Sequence, residues 1–227
     1  MYNIVGLSIG NFDHVIDRDK VAISDLIQIL PHDYEKRSAR ALEDNINAKY
    51  ANKVIHKVGL AVGLFDILKF SEGLIGHGTG IVNVHVDFRL VVFRPFKGEI
   101  LQGRIIENTF RGLRISMDFF DDIWVNAPNM TFENTQYDKI EEEGQPTEWV
   151  WVWHAEGTEG LYFDNNETVR FRVEAEQWTD LEPKRAPTQL QPGQTEVKEE
   201  DVPDPSPYTI IASMQQSGLG PILWWSN

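Results

Sequence analysis

No cysteine occurs anywhere in the chain. Disulfides, thiolate zinc sites and cysteine nucleophiles are excluded together. The absence fits a reducing compartment without requiring one. No run of roughly 18 apolar residues is present either, so no helical membrane span is expected. The opening residues carry no basic flank and no long apolar block, and are not read as a secretory signal or a transit peptide. A soluble protein of the cytosol or nucleus is the expectation.

Catalytic signatures are missing too. The 6 histidines, His14, His32, His56, His77, His85 and His154, are scattered with no paired spacing, which gives no metal-binding pattern. There is no Gly-x-Ser-x-Gly and no phosphate-binding loop. Glu141, Glu142 and Glu143 adjoin one another, as do Asp121 and Asp122. Neighbours in sequence seldom converge on one bond, so both groups read as solvated acidic surface. No catalytic residue, metal site or cofactor is expected, and a carboxylate hydrolase is the least supported reading.

Positive charge is scarce: 21 Lys and Arg face 35 Asp and Glu, for a net charge of −14. Taken whole, that opposes non-specific nucleic-acid binding. The distribution is uneven. Residues 118–164 hold twelve acids and a single base, Lys139. Residues 89–114 hold six bases, Arg89, Arg94, Lys97, Arg104, Arg111 and Arg114, against Glu99 and Glu107. One short basic region therefore sits in an acidic molecule.

What is present is a long strand. Val84, Val86, Phe88, Leu90 and Val92 alternate with period two, the mark of a strand with one buried face. Val91 and Phe93 add apolar groups to its other face. Pro95 cannot donate to a ladder and ends the pairing, and Ile100 and Leu101 at once begin another apolar run. Arg94-Pro95 reads as the joint between two tightly packed domains rather than a flexible linker.

Before the joint, Ile4, Val5, Leu7 and Ile9 suit a strand in a segment, residues 1–20, of uncertain status. Residues 21–30 form a second strand candidate. Asp33 is a candidate N-cap. Leu42, Ile46, Tyr50 and Val54 recur every four residues, predicting one amphipathic helix of four or five turns. Residues 58–67 predict another strand, with Gly59 and Gly63 as positions of close approach. Residues 71–80, glycine-rich, predict a long exposed hairpin tip. Gly76-x-Gly78-x-Gly80 has the wrong spacing for a dinucleotide fingerprint and reads as a flexible loop.

After the joint, strands are predicted at 99–106, 112–117, 122–126, 149–153, 161–163 and 168–174, and a last one at 208–213. Leu113, Ile115 and Met117 share a face; Val169, Phe171 and Val173 point inward. Residues 182–206 hold many prolines and acids and read as a disordered loop. About five short strands closed by one from beyond a loop suggest a Greek-key barrel, of which the OB-fold is the commonest with that count. The predicted fold is an α+β N-terminal domain, an antiparallel sheet with one long helix, over residues 21–95. An all-β OB-fold barrel follows over 96–227.

Trp149, Trp151 and Trp153 alternate with Val150 and Val152. They suit a base-stacking platform, but lie in the acidic block, which favours core packing or a protein interface. Arg104, Arg111 and Arg114, with Lys97, are the better RNA-binding candidates, against the alternative of ordinary solvated arginines.

Phe88-Arg-Leu-Val-Val-Phe-Arg-Pro-Phe-Lys-Gly-Glu-Ile100 is similar to the junction of the larger stalk subunit of eukaryotic and archaeal RNA polymerases. Gly73-Leu-Ile-Gly-x-Gly-x-Gly80 resembles that family's tip loop. Ala51-Asn-Lys-Val-Ile55, Val58-Gly-Leu60, Phe65-Asp-Ile67, Phe119-Phe-Asp-Asp-Ile123, the alternating tryptophans, Leu161-Tyr-Phe-Asp164, Val169-Arg-Phe-Arg172, Gly218-Leu-Gly220 and Trp224-Trp225 look most like its polymerase III member. The resemblance covers residue 21 to the end.

It implies an accessory subunit without catalysis, located in the nucleus. The N-terminal domain would dock on the polymerase III core through a tip loop at Gly73, Gly76, His77, Gly78 and Gly80. A smaller helical stalk subunit would form a heterodimer along the groove between the domains, with Val91, Phe93, Pro95 and Phe96 as partner or interdomain contacts. The pair would support initiation and touch nascent single-stranded RNA weakly. The family usually starts near the first strand, so residues 1–20 are an addition. RNA-binding OB barrels commonly carry exposed aromatics on their second strand, where this chain has Arg111 and Arg114; contact by charge and guanidinium stacking is then expected. The alternatives are the equivalent subunit of another polymerase, or a free-standing OB-fold RNA-binding protein.

Overall fold

The computed structural model describes residues 20–127, 134–140, 148–154, 160–181 and 206–225. The chain divides into two compact units, residues 1–94 and 95–227. Their elements in chain order are strands β1 (Lys20–Ile29), helix α1 (Ser38–Tyr50), β2 (Lys53–Ile55), β3 (Gly59–Phe70), β4 (Leu74–Ile75) and β5 (Val82–Phe93) in the first. The second holds β6 (Ile100–Thr109), β7 (Gly112–Ser116), β8 (Ile123–Asn126), β9 (Thr135–Ile140), β10 (Glu148–Trp153), β11 (Leu161–Tyr162), β12 (Thr168–Trp178), β13 (Tyr208–Ser213) and β14 (Gly220–Pro221).

The first unit is an antiparallel sheet in the order β1-β5-β3-β2, with β4 also on β5. The alternating strand is β5. Val84, Val86, Phe88, Leu90 and Val92 are buried on one face, as their period requires. Helix α1 covers that face: Ala41, Leu42 and Ile46 join Ile27, Ile29 and the β5 residues in one core. Tyr50 packs on Phe88 with ring centroids 5.6 Å apart. Val54 belongs to β2, not the helix, because Ala51 is extended and Asn52 turns left-handed at φ 58°. Asp33 is not the N-cap either. Arg37 holds that position without a side-chain bond. Asp33 is buried instead, ion-paired with Lys36 at 3.0 Å and accepting from Asn45 Nδ2 at 3.3 Å. Gly59, at φ 136°, lets β3 lie against β5: a Cβ there would stand 2.6 Å from the Phe93 carbonyl oxygen.

The second unit contains a closed barrel. Strand β6 pairs with β7, β7 with β8, β8 with β13, β13 with β12, and β12 with β6. All contacts are antiparallel except β8 with β13, which is parallel. This is the predicted five-strand Greek-key closure. Ile105, Leu113, Ile115, Ile123, Val125, Val169, Phe171, Val173, Tyr208 and Ile210 are all 0% exposed and fill it. Gly112, at φ 143°, permits the tight β6–β7 corner; a Cβ would fall 2.0 Å from the Val125 carbonyl oxygen.

Between β8 and β12 the chain makes a second, three-stranded sheet in the order β11-β10-β9. Strand β9 escaped the sequence reading. The sheet is fixed to the β6 end of the barrel by side chains. Trp151 Nε1 donates to the Thr109 carbonyl at 2.8 Å, and Asn108 Nδ2 to the Phe163 carbonyl at 3.0 Å. Trp224, in the 3-10 turn Ile222–Trp225 after β14, packs against Phe163 at 4.8 Å and Trp153 at 5.7 Å. The expectations for residues 1–20 and for a disordered loop at 182–206 lie outside the described residues except at their last positions, where Lys20 opens β1 opposite Val91 and Ser206 is held by Asp122 rather than disordered.

Candidate nucleic-acid interface and docking hairpin

The basic residues expected to meet RNA run from the turn before β6, along that strand and the turn after it, to Arg114 on β7. Lys97 lies in the turn before the strand, exposed, where the Phe96 amide donates to Glu99 Oε2 at 3.0 Å. Arg104 is exposed at mid-strand, opposite Ser116 on β7 and Thr168 on β12. Arg111 is exposed in the β6–β7 turn, its guanidinium 5.3 Å from the centre of the Phe110 ring. A strand of this length spans about 30 Å, so Lys97 and Arg111 lie at opposite ends and do not share a site.

Arg114 is engaged inside the unit. Its Nη2 meets Asp122 Oδ1 at 3.1 Å, its Nε donates to the Asp121 carbonyl at 3.0 Å, and Glu107 Oε2 lies 3.7 Å away. Its guanidinium also sits over Trp124 at 5.8 Å. Asp121 and Asp122 thus have structural work, holding Arg114 and accepting from Ser116 and Ser206.

A residue the sequence reading passed over takes a place beside Arg104. Arg170 on β12 lies opposite Gln102 of β6, two positions from Arg104 on the same outer face. It makes no ion pair among the described residues. The signal was present: in Val169-Arg170-Phe171-Arg172-Val173 the apolar residues are buried and the arginines are not. Arg172 is paired with Glu174. Arg104 and Arg170 on this face, with Arg111 in the turn beside it, make no ion pair among the described residues.

The tryptophans divide. Val150, Trp151 and Val152 are buried, with Trp151 8% exposed, whereas Trp149 is 50% exposed and stacked on Tyr137 at 5.5 Å. Most of the block is core. Among the described residues no group of acids and histidines is placed to hold a metal ion.

In the first unit, β3 leads into the glycine-rich hairpin. The expected loop contains a short strand, β4, paired with Val82 and Asn83 of β5. The Gly76 amide donates to the Ile81 carbonyl at 2.9 Å, and Gly78 and Gly80 turn left-handed at φ 76° and 66°. His77 is exposed in this turn. Gly73 packs where a Cβ would meet Val82 at 2.4 Å. The Tyr34 hydroxyl donates to the Gly80 carbonyl, tying the hairpin turn to the turn before α1.

The glycines shape this hairpin, but the surface belongs to its neighbours. Leu68, Phe70, Leu74 and Ile75 are exposed at 54%, 57%, 72% and 69%. Leu74 and Ile75, successive on β4, point to opposite faces of the sheet, so this end of the hairpin carries exposed apolar side chains on both faces, a feature suited to a protein contact. Farther back, the Asp66 carboxyl is held below its usual range by hydrogen bonds from Arg89, which shows a fixed pair on the same strands. At the joint, Phe93 and Pro95 are buried, Val91 is half-buried and Phe96 is 54% exposed.

Comparison with known proteins gives concordant matches. The family described as RNA polymerase III subunit Rpc25 matches residues 99–225. The SHS2 domain found in the N terminus of Rpb7p/Rpc25p/MJ0397 matches residues 24–80. The chain is 41% identical over 207 residues to DNA-directed RNA polymerase III subunit rpc8 of Schizosaccharomyces pombe, covering 89% of this chain and 96% of that one. It is 36% identical over 214 residues to subunit RPC8 of Saccharomyces cerevisiae, covering 89% and 97%. It is 36% identical over 211 residues to subunit RPC8 of Bos taurus, covering 91% and 98%.

Proposed function

The chain belongs to the RNA polymerase III subunit Rpc25 family, and on that premise we propose that it is the larger stalk subunit of DNA-directed RNA polymerase III in the nucleus. In this reading it has no catalysis of its own. It docks on the core enzyme, pairs with a smaller helical stalk subunit and supports transcription initiation. The unit of residues 1–94 supplies the docking domain and the unit of residues 95–227 the barrel domain.

The observation that carries the docking role is the apolar hairpin. Leu74 and Ile75 are its most exposed apolar side chains, on a hairpin whose turn is shaped by Gly76, Gly78 and Gly80. A rigid support with an apolar tip suits insertion into a groove on a larger partner. Val91, Phe93, Pro95 and Phe96 remain the proposed contacts for the smaller subunit or between the domains.

RNA contact is proposed at Arg104, Arg170 and Arg111, on and beside the outer face of the barrel. Three cations make a weak, sequence-tolerant site, useful when the polymerase holds the transcript nearby. The test is a tagged chain expressed at native level and recovered from cells. Leu74→Asp with Ile75→Asp should strip the large polymerase III subunits from the purified material and leave the smaller stalk subunit bound. Recovery of the whole polymerase with that double variant would refute docking through the hairpin.

A further inference from the structure

Ser206 is one of the few side chains whose position is set by the chain's return to the barrel. It ends the proline-rich run and stands two residues before β13. Its hydroxyl donates to Asp122 Oδ2 at 2.7 Å, and the Tyr208 carbonyl lies 2.9 Å from the same oxygen. The Tyr208 amide approaches it at 3.4 Å. Asp122 in turn holds Arg114, and its carbonyl accepts from the Ile210 amide at 2.9 Å. One hydroxyl therefore latches Ser206, at the entry to β13, onto the corner that starts β8. The next residue is Pro207. Of the 11 prolines, Pro207 alone follows a serine or threonine.

We propose that Ser206 is a phosphoacceptor for a proline-directed protein kinase, and that its phosphorylation opens this latch. The γ-phosphoryl group of ATP passes to Ser206 Oγ. The bond to the departing ADP breaks, the Oγ–P bond forms, and the hydroxyl proton leaves to the base of the kinase. Access needs only local detachment: Ser206 is half-buried, its hydroxyl contacts are those just described, and Pro207 has no amide hydrogen to donate.

The product cannot keep the contact. A phosphoserine carries about −1.5 to −2 charges and no proton for Asp122. It would stand against the Asp122 carboxylate, with Asp121 and Glu107 also in the cluster and Arg114 as its cation. Arg114 already serves these carboxylates, so the added dianion meets net repulsion. Residue 206 is pushed off the corner at Asp122. Tyr208, 0% exposed and stacked on Trp178 at 4.2 Å, keeps β13 in place, so the change is a release and not an unfolding.

The experiment treats the folded full-length chain with ATP and a purified mitogen-activated protein kinase, which requires proline directly after its acceptor. Peptide mapping by mass spectrometry should put the phosphate on Ser206, and Ser206→Ala should take up none there. The phosphorylated chain should melt a few degrees lower than the untreated chain, and limited proteolysis before Tyr208 should quicken several-fold. In Asp122→Asn, which keeps the shape and removes the repelling charge, phosphorylation should shift the midpoint and the cleavage rate by less than half as much. If Ser206 stays unmodified in the folded chain while a peptide of residues 200–212 is readily phosphorylated, the site is closed and the proposal fails. If Ser206 is phosphorylated but neither midpoint nor cleavage rate changes, or if both change equally in Asp122→Asn, the latch is not what the phosphate acts on.

Discussion

Replacing Trp151 tests whether the tryptophan block is core or a stacking platform. Trp151 is 8% exposed, packs on Tyr137 at 5.2 Å and donates its indole hydrogen to the Thr109 carbonyl at 2.8 Å. It joins the three-stranded sheet to β6. Trp151→Ala removes a large buried ring and leaves a cavity, a cost of about 3–5 kcal/mol. Loss of the hydrogen bond at a part-buried carbonyl is included in that range. Trp151→Phe keeps most of the ring and removes the donor, isolating the bond at about 1–2 kcal/mol. For a unit of this size, 1 kcal/mol moves the melting midpoint by roughly 3–5 °C. The alanine variant should melt more than about 10 °C below the parent and the phenylalanine variant about 5 °C below, by circular dichroism on the full chain. RNA affinity of the phenylalanine variant, measured well below its transition, should be unchanged. A midpoint shift under about 3 °C for alanine, together with loss of RNA binding, would refute the core assignment and restore the platform.

Gly112→Ala should cost about 3 kcal/mol or more, from a strained φ and the clash with Val125, and show as insolubility or a collapsed midpoint. Glu167 behaves oppositely to most surface acids. Burial pushes its carboxyl above the ordinary 4.5, and Oε2 is buried without a hydrogen-bond partner among the described residues. A raised carboxyl leaves stability intact below the ordinary value and erodes it as pH rises through the folded value. Glu167→Gln should therefore stabilise the chain by about 1 kcal/mol near neutral pH, with the gain absent in denaturant melts below about pH 4. Arg104→Glu with Arg170→Glu should weaken binding of all short single-stranded RNAs alike. The log–log salt slope should fall by roughly 0.7 for each contact removed. A fluorescence titration across a salt series checks this, and an unchanged slope would show that the face is only solvated.

The sequence disclosed those elements whose pattern follows one simple period. Val84 to Val92 and Val169 to Val173 alternate cleanly because one face of each strand is buried, and both strands lie where the pattern put them. Boundaries set by backbone conformation were harder. Val54 continues the four-residue spacing of Leu42, Ile46 and Tyr50, but the left-handed turn at Asn52 had already ended the helix. Strand β9 was hidden because its sequence, Thr135-Gln-Tyr-Asp-Lys-Ile140, is mostly polar and carries no apolar alternation of its own; the pattern lies in β10, the next strand, on which it pairs. At the surfaces, residue type was legible and employment was not. Arg114 reads as a free cation, but Asp122 and Asp121 hold it. Arg170 was masked by counting charge along β6 and β7 alone, when β12 closes the barrel beside them. The glycines of residues 73–80 stood out by composition. The exposure of Leu74 and Ile75 between them was not legible, since single apolar residues in a loop are common.

The central claim is that this chain works as a stalk subunit of RNA polymerase III. The direct measurement is quantitative mass spectrometry of the tagged chain recovered from its own cells at native expression. The account predicts a smaller helical subunit at a one-to-one ratio, together with the large subunits specific to polymerase III. Recovery with polymerase II subunits instead, or as a free monomer bound only to RNA, would contradict it.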